Sequence, residues 1–337
     1  MTGLQKLGFL TIGLFDPADP GPGHEDTLRL IEIGEQLGFD SAWLRHRHLQ
    51  HGISSPVAVL AAASQRTSTI ELGTAVTPLG LENPFRLAED LATVDVLSGG
   101  RLNPGVSVGP PMRYADFKDH LYPDTADLED FSYTRVERLL HNLRGQPVSD
   151  FEGTVGIETF SRIVQPHSPE LADRVWYGAG SLRSIEWAAQ AGLNLLTSSV
   201  VTVVPEAESY DFAAIQAAQI TRFRELHPAG SDARVSQGLV VVPTDSASPE
   251  QARRYREYAE SRLARTTQPQ GPGRLLFAPD LVGSSEELAD RLGNHAGFQQ
   301  VGEVAFALPF TFGFDDYVQI LTDMASSLAP KLGWSAP

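Results

Sequence analysis

The stretch Thr69–Gly109 reads TIELGTAVTPLGLENPFRLAEDLATVDVLSGGRLNPGVSVG. It opens with an apolar, β-branched run of strand length, Thr69–Val76. Asn83-Pro84 then marks a helix start: the amide side chain can cap the first turn, and proline fits the first helical position. Ser98-Gly99-Gly100 closes that helix, since glycine adopts the left-handed conformation at a helix end without steric cost. Arg101–Gly109 is a second strand, made irregular by Pro104, which cannot donate to a ladder. A strand, a helix and a strand within forty-odd residues describe a parallel pair joined by a helical crossover.

The same unit recurs on both sides. Leu7–Phe15 is a strand, and Glu25–Leu37 carries Leu30, Ile33, Gly34 and Leu37 on one helical stripe, with Gly38 as the stop. Ser41–Leu44 is the next strand, and Ser55-Pro56 opens a helix to about Arg66. Further on come Arg174–Gly180 with helix Ser181–Ala191, Leu193–Ser199 with helix Phe212–Leu226, and Arg234–Val242 with helix Pro249–Ala264. Glu303–Pro309 precedes a last helix from Asp315. Eight strands, each followed by a helix, predict an α/β chain closed into a (β/α)8 TIM barrel, one domain over residues 1–337. Two stretches break the rhythm. Residues 148–165 suggest a hairpin inserted after the fourth helix, and residues 266–285, after the helix that follows strand seven, suggest a Gly/Pro-rich, lid-like loop.

The totals narrow the function. The formal net charge of −16 disfavours nucleic acid and anionic membranes as partners. With no cysteine, disulfides, thiol nucleophiles and thiolate metal sites are excluded, which fits a reducing, cytoplasmic setting. No leader-like N-terminus and no run of eighteen apolar residues is visible, so neither secretion nor a membrane span is expected.

Barrel chemistry sits at the C-terminal ends of the strands. There, after strand two, "SAWLRHRHLQHGISSP" (Ser41–Pro56) places His46, His48 and His51 within six residues, out of nine histidines in the chain. The segment is either a solvated basic loop or a site for proton transfer, a metal or an anion. A metal would need further His, Lys or Asp ligands at other strand ends, and strands five, six and eight end in Gly-Ala-Gly, Ser198-Ser199 and Pro309, so no metal is expected. After strand five, "YGAGSLRSIEWAAQAG" (Tyr177–Gly192) sets Ser181 at a helix N-terminus with Ser184 one turn on. That is either an ordinary serine cap or a phosphate site, where two hydroxyls and the first-turn N–H groups meet one anion.

Taken together, Gly73-Thr74-Ala75, the helix Asn83-Pro84 to Asp90, the turn Ser98–Arg101, "GFDSAW" before the histidines, "SIEWAAQAGL" and "VGSSEELADRL" resemble the bacterial-luciferase-like flavin-dependent oxidoreductases, over Leu7 to about Leu308. The resemblance implies the same barrel. It implies a flavin ring lying over a non-proline cis peptide at Ala75–Val76, with Ser107 beside the ring. It implies a flavin phosphate held by Ser181 and Ser184, with Gly180 at the adjacent backbone. Some members add an arginine where this chain has Val108; Arg113 or Arg183 would be the substitutes. Many members end strand two with Glu-His-His, the first histidine acting as acid/base. Here Arg47 takes that place and His48 the second. Arginine is no base at neutral pH but fits an anionic substrate or an anionic reduced flavin, leaving His46 or His48 for proton transfer.

The resemblance therefore implies an FMN-dependent monooxygenase that takes reduced FMN from a flavin reductase, uses O2, and oxidises a small organic substrate. The alternatives are hydride transfer with the deazaflavin F420, or a flavin-binding protein without turnover. It also implies a homodimer formed through the helices Pro56–Arg66 and Pro84–Leu97.

Overall fold

The computed structural model describes residues 3–205 and 209–336. Its main sheet has ten strand segments, in hydrogen-bonded order Thr77–Pro78, Gly105–Ser107, Trp176–Gly178, Asn194–Thr197, Val235–Gln237, Glu303–Ala307, Lys6–Thr11, Ser41–Leu44, Glu71–Thr74 and Leu102–Asn103. The two ends of that order are halves of the same two strands. Strand three is broken after Thr74 and strand four at Pro104, so the sheet closes on itself as eight parallel strands. The predicted (β/α)8 barrel is thus the fold. The sequence suggested continuous third and fourth strands. Pro104 explains the break in the fourth: its lower half pairs with Glu71–Thr74 and its upper half with Thr77–Pro78.

The barrel interior is filled by paired tryptophans. The rings of Trp43 and Trp176 meet edge to face, 5.6 Å between centroids. Each indole N–H finds an acceptor, Trp43 on Ser41 Oγ (2.9 Å) and Trp176 on Asn103 Oδ1 (3.1 Å), as buried indoles require. Gly73 makes room: a Cβ there would lie 2.2 Å from the Trp43 ring. The N-terminal ends of the strands are tied by charge, Lys6 to Glu71 (2.6 Å) and Arg234 to Glu303 (2.8 Å). That end of a barrel serves stability and leaves the opposite end for chemistry.

The helices follow the punctuation in the sequence. Asn83 Oδ1 accepts from the N–H groups of Phe85 and Arg86 at the head of Pro84–Ser98, and Gly99 ends that helix with φ 69°. Ser55 does precede the helix Pro56–Ser64, but its hydroxyl makes no capping bond. The first helix begins at Pro20, five residues before the expected start.

A hairpin, Gly153–Val155 with Glu158–Phe160, occupies the first insertion. Residues 266–285 are more ordered than a bare loop. Leu275–Phe277 pairs antiparallel with Val200–Thr202 beyond strand six, and Leu281–Gly283 pairs parallel with Val241–Pro243 beyond strand seven. The segment is thereby strapped across the barrel mouth.

Candidate active site

A cavity of about 370 Å³ opens at the C-terminal ends of the strands. Strand two delivers Arg45, His46, Arg47 and His48 to it, strand three Ala75 and Val76, and strand five Gly178, Ala179 and Gly180. The peptide bond between Ala75 and Val76 is cis, where the resemblance places one. Gly178 faces Val76 so closely that a Cβ on it would lie 2.6 Å from Val76 Cγ1. The absence of a side chain there gives the floor a flat edge.

The strand-two exit holds the polar wall. Arg45 N–H donates to Thr11 O and Arg47 N–H to Ile53 O, which fixes the backbone on both sides of His46. The side chains are not so satisfied. Arg45 Nε, His46 Nδ1, Arg47 Nε and His48 Nε2 are all buried without a hydrogen-bond partner among the described residues. Buried polar atoms nearly always have partners, so four orphans around one cavity mark a place shaped for a guest. Burial, aided by neighbouring His48, pulls His46 down to about 4, and burial also lowers His48. Both imidazoles are therefore neutral at pH 7. Among the described residues no group of three or more His, Cys, Asp or Glu comes together, so His46 and His48 are not joined by a third ligand. His51 is exposed and lies tilted against Phe15, 6.1 Å between centroids, outside the cavity lining.

At strand five, Ser181 caps the helix Leu182–Gln190 in a reciprocal arrangement. Ser181 Oγ accepts from Ser184 N–H (3.3 Å), Ser184 Oγ accepts from Ser181 N–H (3.3 Å), and the two hydroxyls lie 2.8 Å apart. The capping and phosphate-binding interpretations thus use the same two half-buried hydroxyls, beside Gly180, which does line the cavity. Ser107 pairs with Pro78 at the end of strand four, but it is not among the lining residues. Arg113 is exposed and pairs with Asp116, while Arg183 is exposed on the first turn of the serine-capped helix.

The chain belongs to the luciferase-like monooxygenase family. The family model matches residues 7–300. Limonene 1,2-monooxygenase of Rhodococcus erythropolis is 31% identical over 175 residues, 47% of this chain and 44% of that protein. F420-dependent glucose-6-phosphate dehydrogenase of Amycolatopsis mediterranei is 27% identical over 52% of this chain and 54% of that protein. The chain thus spans about half the length of these curated relatives, or less. Among solved structures, monooxygenase RslO1 from Streptomyces bottropensis superposes with a TM-score of 0.70 at 20% identity, covering 97% of this chain and 99% of that one. That likeness bears on the fold.

Sequence reasoning missed part of the site. Val200, Val201 and Thr202 line the cavity together with Leu275, from the two segments that pair across the mouth, and Pro111 and Met112 come from the loop after strand four. Arg45 was visible beside the histidines, but nothing in its spacing showed that it would turn inward.

Proposed function

We propose that this luciferase-like protein is an FMN-dependent monooxygenase, supplied with reduced FMN by a separate reductase and acting on a small organic substrate. The observation that carries the reading is the set of four orphaned nitrogens, Arg45 Nε, His46 Nδ1, Arg47 Nε and His48 Nε2, around a cavity lined, among the described residues, by no Asp or Glu. A cationic, donor-rich wall fits an electron-rich, anionic ring system and repels nothing in it. When bound, reduced FMN would supply the electrons that activate O2.

The chain's own residues would do the rest. Val76 and Gly178 give the ring a floor, and Gly180 with the Ser181 and Ser184 hydroxyls receives the phosphate at a helix N-terminus. The strap at Leu275–Phe277 narrows the mouth and limits water. Neutral His46 and His48 can accept a proton from the substrate side, and Arg47 holds negative charge in place. A second reading, hydride transfer with F420, is favoured by the similarity to the F420-dependent dehydrogenase. A homodimer through the helices Pro56–Ser64 and Pro84–Ser98 would cover Phe85, Val96 and Leu97, which are exposed on the second of these.

The test is binding of FMN and of F420, followed separately by fluorescence quenching, with O2 uptake measured in the presence of a flavin reductase. Quenching by FMN and substrate-dependent O2 uptake are expected. Binding of F420 in preference to FMN would transfer the protein to the second reading, and binding of neither would end both.

A further inference from the structure

Arg45 and Arg47 stand together in the wall of the cavity, two guanidiniums two residues apart in the chain. Among the described residues neither guanidinium has a carboxylate partner in an ion pair, although both are held in the wall of the cavity. Burial, with Arg47 close by, pulls Arg45 down only to about 10, so it remains charged at neutral pH. The carboxylate beside Arg262 is already engaged by other arginines. Asp280, itself buried, binds Arg262 (2.5 Å) and lies 3.7 Å from Arg265. Arg45 instead packs on the face of Phe310, 4.9 Å to the centroid, and Arg262 lies 5.8 Å from that same ring. The hydroxyl of Tyr258, under Arg262, is another buried donor without a partner among the described residues. In a chain of net charge −16, this corner brings Arg45, Arg47, Arg262 and Arg265 together with, among the described residues, the carboxylate of Asp280. A buried charge without compensation is costly, and a fold tolerates it where a ligand brings the missing charge.

The corner is also on a different side of the mouth from the proposed phosphate site. Ser181 and Ser184 follow strand five, and two strands separate that one from strand two in the sheet order. Arg45 points instead toward Phe310, which follows strand eight. We infer that Arg45 and Arg47 form a receptor for a carboxylate on the organic substrate, so that this member acts on small organic acids and not on neutral molecules. The inference rests on the proposed monooxygenase reading for the word substrate. The guanidinium fork matches a carboxylate with two parallel N–H···O bonds, and orphaned Nε atoms supply one donor of each fork.

Octanoate and octanamide serve as probes, since they share a chain length and differ in charge. Their binding is measured calorimetrically on the protein with and without FMN, alongside Arg45→Met and Arg47→Met. Octanoate should bind wild type at least about tenfold more tightly than octanamide, as expected for one charge-assisted contact. Each variant should lose that preference in the FMN-free protein as well as in the FMN-bound one, whatever its effect on FMN affinity. Octanoate, and not octanamide, should raise the melting temperature of the wild type, a readout that needs no variant. Equal binding of the two probes by wild type would overturn the inference. So would retention of the octanoate preference in both variants, which would take the carboxylate away from these guanidiniums. If the protein binds no FMN yet keeps the octanoate preference, the carboxylate receptor stands and the flavin reading fails.

Discussion

The imidazole rings of His46 and His48 lie 4.4 Å apart, centroid to centroid, tilted by 44° in the wall of the barrel mouth. Two such rings in a desolvated site cannot both be charged cheaply. Burial, and then the neighbour, hold His46 near 4. Its ordinary value in the unfolded chain is about 6.5. Below that value the unfolded chain binds a proton that the folded protein refuses. The stability associated with neutral His46 is therefore complete above about pH 6.5 and is lost as the pH falls toward 4. The total loss is about 3 kcal/mol. Urea melts at pH 7, 5.5 and 4.5 on wild type and His46→Gln should show the variant losing less, by most of that amount at pH 4.5, which stops short of the folded value. Parallel pH profiles would remove His46 as the responsible group.

The serine pair after strand five yields a prediction with two separable readouts. Ser181→Ala/Ser184→Ala removes the reciprocal cap, which costs about 1 kcal/mol of stability. If the same hydroxyls bind the flavin phosphate, the double variant should also lose FMN affinity by about tenfold to a hundredfold, each charge-assisted bond being worth about 1.5–3 kcal/mol before the existing cap bonds are subtracted. Quenching titrations on a variant whose melt shows it folded decide the matter. Unchanged affinity would leave these serines as a cap alone.

How much of this could be read beforehand follows from what is local. The barrel was legible because each unit carries its own signals: the Leu30–Leu37 stripe, Asn83-Pro84, Ser98-Gly99-Gly100, and Ser181 ahead of its helix. The division of strand four was half legible through Pro104, whereas the interruption of strand three after Thr74 has no proline to announce it. The helix Tyr114–Leu121 is hard to read because it is two turns long and none of its residues is buried, so only Tyr114, Phe117 and Leu121 mark a face. The pairing of Val200–Thr202 with Leu275–Phe277 joins segments more than seventy residues apart, and periodicity carries no information on such partners. The inward turn of Arg45 is illegible for the same reason, because Phe310 receives it from the far end of the chain.

Asp95 tests the scaffold independently of the site. It is fully buried on the helix Pro84–Ser98 and accepts both guanidinium nitrogens of Arg174 at 2.8 Å, the Ser168 hydroxyl, and the N–H of Leu102 at 3.2 Å. Burial alone would raise its pKa, but the bonds from Arg174 and Ser168 bring it below the usual carboxylate range. Asp95→Asn keeps the shape and removes the charge, leaving Arg174 poorly compensated at a cost of about 3 kcal/mol or more. Denaturant melts should register that loss. Folded variant protein should bind FMN as wild type does, since Asp95 is not among the residues lining the cavity.

Gly178→Ala probes the floor of the cavity with a single methyl group. The new Cβ would lie 2.6 Å from Val76 Cγ1 and 3.3 Å from Cγ2, well inside contact distance. Val76 must then move, and it can move only toward the cavity or against the barrel wall. Overpacking of this kind costs about 1–3 kcal/mol. A methyl at Gly180 meets only Val200 O, at 3.4 Å, an ordinary contact, so Gly180→Ala is the matched control for packing, and not for FMN binding, since Gly180 borders the proposed phosphate site. If the flavin ring rests on Val76, Gly178→Ala should weaken FMN binding by about tenfold or more, the counterpart of about 1.4 kcal/mol, while Gly180→Ala changes packing little. Equal FMN affinity in a folded Gly178→Ala protein would move the ring away from Val76 and require another floor for it.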